Sequence, residues 1–282
     1  MVSVRPFSAP RLVAGALLAF AMTGCATLQP GPRAEVQTPV ASTLPVVLVV
    51  QQQEIVPDVP ATATAVGAQF GLIGALVGAS VQSSQARSAD ERIGPLRDQM
   101  VGAGLSEAFE QAFREGLDPA QWGAVEFTTT TGPGPMVPQR RTLVLTGRYA
   151  LSYEADHAYV SLIAQVFDPN PQRPSRPVLA YYNTFFYIVP IPGATGDKDE
   201  NDIAARAYGG ERLAADLRAG VDELVRMANY DVGAFNETYL GERRAVQGAV
   251  GFQAVGHLIR VDGDRTWVRG TSGGPLMSVP SE

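Results

Sequence analysis

Few side chains in this sequence stand where they could do covalent or metal chemistry. Cys25 is the one cysteine in 282 residues, so the chain cannot form an internal disulfide. The two histidines, His157 and His257, lie a hundred residues apart with no cysteine near either, which leaves a zinc site without a ligand set. Asp197, Asp199 and Asn201 open like a calcium loop, D-x-D-x-N. The sixth position is Asp202 where glycine is needed, and the twelfth is Tyr208 where a bidentate glutamate belongs. These acids are read instead as a solvated loop feeding negative charge to a helix amino terminus. No glycine-rich phosphate loop stands between a strand and a helix, and Asn236 to Thr238, a sequon, is read as idle. The expectation is no metal and no cofactor.

Cys25 owes its interest to what precedes it. Arg5 and Arg11 are followed by an apolar run from Leu12 to Met22, then by Thr23 and Gly24. That is a signal peptide's layout, and eleven apolar residues fall well short of the about 20 that a membrane span needs. The stretch Met22 to Cys25, MTGC, resembles the lipobox of bacterial lipoproteins, with Met22 where that pattern prefers leucine. The resemblance implies cleavage before Cys25 and acylation of its thiol and amine with diacylglycerol and palmitate-type chains. Several such chains hold a protein on a bilayer where one would release it. Ala26, rather than aspartate, at the second mature position favours the outer membrane, with the domain facing the periplasm.

A second resemblance concerns Gly270 to Leu276, GTSGGPL, which is similar to the GDSGGP loop of trypsin-like proteases. It implies Ser272 as nucleophile, with backbone amides as the oxyanion hole. His157 would then be the base, and Asp199 or Asp202 its orienter. Thr271 replaces the family's aspartate, His157 lies in EADHAYV rather than AAHC, and only ten residues follow Ser272. A glycine-rich turn beside a hairpin accounts for the same residues, so a serine hydrolase is the remote alternative and no enzyme is expected.

Composition narrows the partners. Loss of residues 1 to 24 removes Arg5 and Arg11 and leaves 20 basic against 28 acidic residues, which disfavours nucleic acid. Lys198 is the only lysine. The expected partners are the lipid bilayer, through acylated Cys25, and an envelope protein or a second copy of the chain.

The elements that must carry these residues follow from periodicity. Residues 26 to 43, with three prolines and no period, read as a tether that reaches at most about 60 Å at about 3.5 Å per residue. Leu44 to Val50, LPVVLVV, reads as a strand covered on both faces. Ala65 to Val81 is apolar except for Gln69 and Ser80, and Gly67, Gly71, Gly74 and Gly78 would form one stripe on a helix. Two readings compete for this stripe: a glycine zipper for self-association or membrane insertion, and a buried helix packed on its own sheet. Ile93, Leu96, Met100, Leu105, Phe109, Ala112 and Phe113 share a face, predicting one helix over a sheet. Strands are predicted at Ala124 to Thr130, Thr142 to Glu154, Ala158 to Phe167 and Val178 to Val189. A second long helix runs from Asn201 or Asp202 to about Asn229, with a bend at Gly209 and Gly210. HLIRVDGDRTWVRG reads as a hairpin turning at Asp262, Gly263 and Asp264.

The expected fold class is α+β: a mixed, mostly antiparallel sheet of four to five strands covered by two long helices, with a small C-terminal β-hairpin. The expected organisation is a signal peptide at 1–24, a lipidated tether at 25–43, an α/β domain at 44–229 and a linker with a hairpin tail at 230–282. Residues 44 to 229 resemble, in order of elements alone, the α/β domains of the TolB amino-terminal, CsgG and transporter-auxiliary lipoproteins. That resemblance implies a membrane-anchored, non-catalytic binding or assembly accessory of the cell envelope.

Overall fold

The computed structural model describes residues 43–50, 54–58, 87–130, 139–174, 176–233, 244–249, 252–270 and 274–281. In chain order the elements are β1 (Leu44–Val50), β2 (Val56–Asp58), α1 (helical residues 87–99), α2 (Leu105–Gly116), α3 (Pro119–Trp122) and β3 (Val125–Thr130). Next come β4 (Thr142–Ser152), β5 (His157–Asp168), β6 (Val178–Pro190), α4 (Lys198–Tyr208) and α5 (Gly210–Gly233). The last are β7 (Arg244–Ala249), β8 (Phe252–Asp262), β9 (Arg265–Gly270) and β10 (Leu276–Pro280).

All ten strands join one mixed sheet in the order β3-β1-β4-β5-β6-β10-β9-β8-β7, with β2 pairing β4 outside that path. β1 runs parallel to both β3 and β4. β4, β5 and β6 form an antiparallel meander. β10 pairs parallel with β6 through Leu276↔Phe185 to Ser278↔Tyr187, and antiparallel with β9 on its other side.

The expected four to five strands under two long helices, with a small hairpin at the end, is therefore corrected to ten strands and five helices among the described residues. The carboxyl-side strands do not stand apart as a hairpin. β9 and β8 do form one, with Gly263 at φ +61 in its turn, but β10 inserts between it and β6 and makes the whole meander part of the main sheet. The helix expected from Ile93 to Phe113 is two helices, because Gly102 and Gly104 adopt φ +79 and +65 between them. Side chains with a Cβ avoid that left-handed region, so the chain can turn there.

Every described helix with a core contact packs on one face of the sheet. Leu143, Leu145, Tyr149 and Leu151 of β4 and Ala158, Val160, Leu162 and Ala164 of β5 point there at the strand period of two. They meet Phe109 and Phe113 of α2, whose rings stack 6.2 Å apart, and Leu213, Leu217, Val221 and Leu224 of α5. Each leucine, valine or phenylalanine among them, fully withdrawn from water, contributes about 1.5–3 kcal/mol. Approach is closest at Gly220, where a Cβ would lie 2.4 Å from Tyr187 Cδ1 and 2.6 Å from Val160 Cγ1. No described helix is long and apolar enough to cross a membrane.

Candidate functional site: a groove on the open sheet face

Because strand side chains alternate, the residues between those core positions point to the other face of the sheet. From β4 these are Thr146 and Arg148, from β5 Tyr159, Ser161 and Ile163, and from β6 Thr184, Phe186 and Ile188. Met277 of β10 and Asp58 of β2 complete a groove of about 610 Å³. Its floor is apolar, and Tyr159 meets Phe186 edge-on at 5.7 Å. Tyr159 and Ile188 of this floor belong to a smaller apolar cluster with Ala150, Val268 and Val279. The opposite face carries the described helices.

Two polar pairs mark the rim. Arg148 Nη2 donates to Asp58 Oδ1 at 3.1 Å, tying β4 to β2. At the far end His157 Nδ1 lies 2.6 Å from Asp156 Oδ1, and Ser152 Oγ donates to the same oxygen at 2.6 Å. Ser152 Oγ in turn accepts the backbone N–H groups of Asp156 and His157. The turn that makes this possible holds Ala155 at φ 56, the one non-glycine residue with positive φ among the described residues. Burial pushes the Asp156 carboxyl up, yet the hydrogen bonds from His157 and Ser152 outweigh it and hold the group below the usual aspartate range. Burial also pushes the Tyr159 phenol well above its ordinary value, so it remains a neutral hydroxyl at any physiological pH.

On the helix face a second polar cluster fastens α5 to the sheet. Arg269 of β9 and Asp231 of α5 form an ion pair with no exposed side-chain surface on either partner. Tyr181 OH donates to Asp231 at 2.5 Å and Asn183 Nδ2 at 2.7 Å, both from β6. Nearby, Trp267 Nε1 and Ser278 Oγ donate to Glu223 Oε1 at 2.7 and 3.1 Å, and Arg226 meets the same carboxylate from the solvent side. The work of this cluster is to hold β6, β9 and β10 under one helix.

The sequence candidates distribute as follows. Cys25, Gly67, Gly71, Gly74, Gly78 and Ser272 lie outside the described residues. Of the proposed hydrolytic set, His157 is oriented by its neighbour Asp156, and Asp202 is held instead by Arg92 in a two-pronged pair at 2.6 and 2.7 Å. Asp199 donates its backbone N–H to the cap residue Asp197. Strand register puts Gly274, which flanks Ser272, near the level of Asn183 and Ala164, seven residues along β5 from His157. At about 3.4 Å per residue that places Gly274 roughly 24 Å along the sheet from His157, while the position of Ser272 lies outside the described residues. Asp197 caps α4, accepting from Asp199 and Glu200 N–H at 2.9 and 3.1 Å, and Asn201 is bound to Thr195 N and Glu154 O. No group of three or more His, Cys, Asp or Glu side chains among the described residues could hold a metal ion.

What the sequence reading missed is the groove. In the sequence its residues are the alternate polar positions Thr146 and Arg148 of one strand and aromatics at both parities of β6. The signal available was that β6 carries Phe186 and Ile188 at one parity and Phe185 and Val189 at the other, so both faces of that strand are apolar. No protein-family model, curated protein or solved structure matches the chain.

Proposed function

We propose that the protein is a lipoprotein, anchored to the outer membrane through acylated Cys25 and facing the periplasm, whose domain works by binding rather than catalysis. In this reading it is an accessory or assembly subunit of the cell envelope, and the open sheet face is the surface it offers. The observation that carries the binding half is the groove itself: an apolar floor between rim groups that are already paired within the protein. A site with that character supports a role in association. The anchoring half rests on MTGC and the apolar run before it.

The test is metabolic labelling with a palmitate analogue in a bacterial host, comparing the natural chain with Cys25→Ser and with globomycin-treated cells. Label and membrane association are expected in the natural chain alone. An unlabelled natural chain, or equal membrane association of Cys25→Ser, would sink the anchored reading.

A further inference from the structure

We propose that the domain docks on the bilayer through the loop between β5 and β6, where Arg173 and Arg176 meet the phosphate headgroups of an anionic lipid surface. The inference rests on the anchored reading above and says which end of the domain faces the membrane. Strand register fixes where the tether enters. Val46 pairs with Leu143, Thr142 with Phe167, and Phe167 with Leu179. Leu44, the first residue of β1, is therefore level with Arg141, Asp168 and Val178, at the foot of that loop. Residues 26–43 reach at most about 60 Å from the bilayer, so this end of the domain is held close to the lipid surface at high local concentration.

The charges there favour such a surface. Arg140 is taken by Glu126, and Arg141 lies 3.5 Å from Asp168, so those four charges cancel in pairs. Residues 169–177 carry Arg173 and Arg176 and no acid. Both arginines are exposed, and among the described residues no carboxylate pairs with either. Glu115 and Asp118 belong to α2 and the cap of α3, in the helix layer. The opposite end of the sheet is acidic: Glu154, Asp197, Asp199, Glu200 and Asp264 are exposed there, with Lys198 among them. The 12 residues of β5 put about 40 Å between the two ends at about 3.4 Å per residue. Exposed charges are screened beyond about 10 Å, so a lipid surface at the loop meets the arginines and not those acids. Each arginine near an anionic surface strengthens attraction about fivefold.

The loop needs little rearrangement to land. Pro169, Pro171, Pro174 and Pro177 fix four of its backbone φ angles, and Asn170 Oδ1 accepts the backbone N–H groups of Gln172 and Arg173 at 3.1 Å. That leaves less conformational freedom to lose on docking. At its foot Val178 and Leu179 are 50 % and 49 % exposed. An apolar pair beside a basic tip suits the boundary between headgroups and acyl chains.

The experiment uses the full acylated chain in vesicles, where the thiol of Cys25 is consumed and one introduced cysteine can carry a fluorophore. Gln172→Cys places the fluorophore in the loop, and Asp264→Cys places it at the opposite end. The vesicles are phosphatidylcholine alone, or phosphatidylcholine and phosphatidylglycerol in equal parts, with a nitroxide quencher on some of the lipid. In the anionic vesicles the loop fluorophore is expected to be quenched and the opposite one not. Arg173→Gln with Arg176→Gln should lower the ratio of docked to free domain about thirtyfold. High salt should act in the same direction, and the thermal melt should stay that of the parent.

Protein that floats with the vesicles but is quenched in the loop no more than at the opposite end would overturn the proposal. So would loop quenching that is equal in neutral vesicles and untouched by the arginine changes, which would mark an apolar contact without headgroup recognition. A chain that does not float, or whose Cys25 still reacts with maleimide when no cysteine has been added, marks failure of the anchored reading instead, and the docking surface falls with it.

Discussion

Arg269 and Asp231 carry opposite charges with no exposed side-chain surface between them. Removing two ions from water costs several kcal/mol each, and the return depends on how completely the remaining hydrogen-bonding groups are met. Here Tyr181 and Asn183 both donate to Asp231, so the carboxylate is well satisfied. Asp231→Ala would strand the guanidinium, and urea unfolding is expected to show a loss of about 3–5 kcal/mol. The double change Asp231→Leu with Arg269→Met should recover most of that loss, because it removes both charges at once. An unchanged urea midpoint in Asp231→Ala would show that the pair is solvated. None of this was legible in the sequence: Arg269 sits in what reads as an isolated hairpin, and its partner lies 38 residues earlier at the end of a helix. By contrast, EADH was readable as a turn, since Glu154 to His157 separates two alternating runs. Its grip on Asp156 adds only detail.

Among the elements, the strands β4, β5 and β6 were legible because their side chains alternate without interruption and polar or proline-rich turns separate them. The split between α1 and α2 was not, because Ile93, Met100, Phe109 and Phe113 keep a helical phase across the break. The phase survives since both helices face the same sheet. Glycines show the same ambiguity. Gly94, on α1, has nothing within 4 Å of where a Cβ would stand, whereas Gly220, on α5, has Tyr187 at 2.4 Å. Gly94→Ala is therefore expected to stabilise by up to about 1 kcal/mol through helix propensity. Gly220→Ala should destabilise by about 1–3 kcal/mol as the helix is pushed off β5 and β6. Thermal melts of the two variants should move in opposite directions. A rise for Gly220→Ala would mean that the seam between α5 and the sheet is looser than the contact distances say.

At the scale of the molecule, the sheet is a single object only because of β10. Five residues, Leu276–Pro280, join β6 to β9 and so connect the amino-side strands to the meander of β7, β8 and β9. A peripheral tail could be trimmed at little cost. Deleting residues 274–282 is instead expected to abolish cooperative thermal unfolding and to expose β7 to β9 to proteolysis, measured by circular dichroism and limited trypsin digestion. A truncated chain that still melts in one sharp transition would show that the two halves stand independently. The position of β10 could not be read from sequence, since LMSVP is short and its parallel pairing with Phe185 to Tyr187 spans about ninety residues of chain. Non-local parallel pairing leaves no periodic trace.

The insertion of β10 also sets an order of events. A chain delivered amino end first exposes β6 with one edge unfilled until residues 276–280 have emerged. Long-range pairing of this sort is slow to form, and an unfilled apolar edge is a template for pairing with other chains. In the proposed reading, in which the chain is exported, the delay is an advantage: the fold would not close on the near side and jam the passage. It also leaves an interval on the far side during which a holding factor has the most to do.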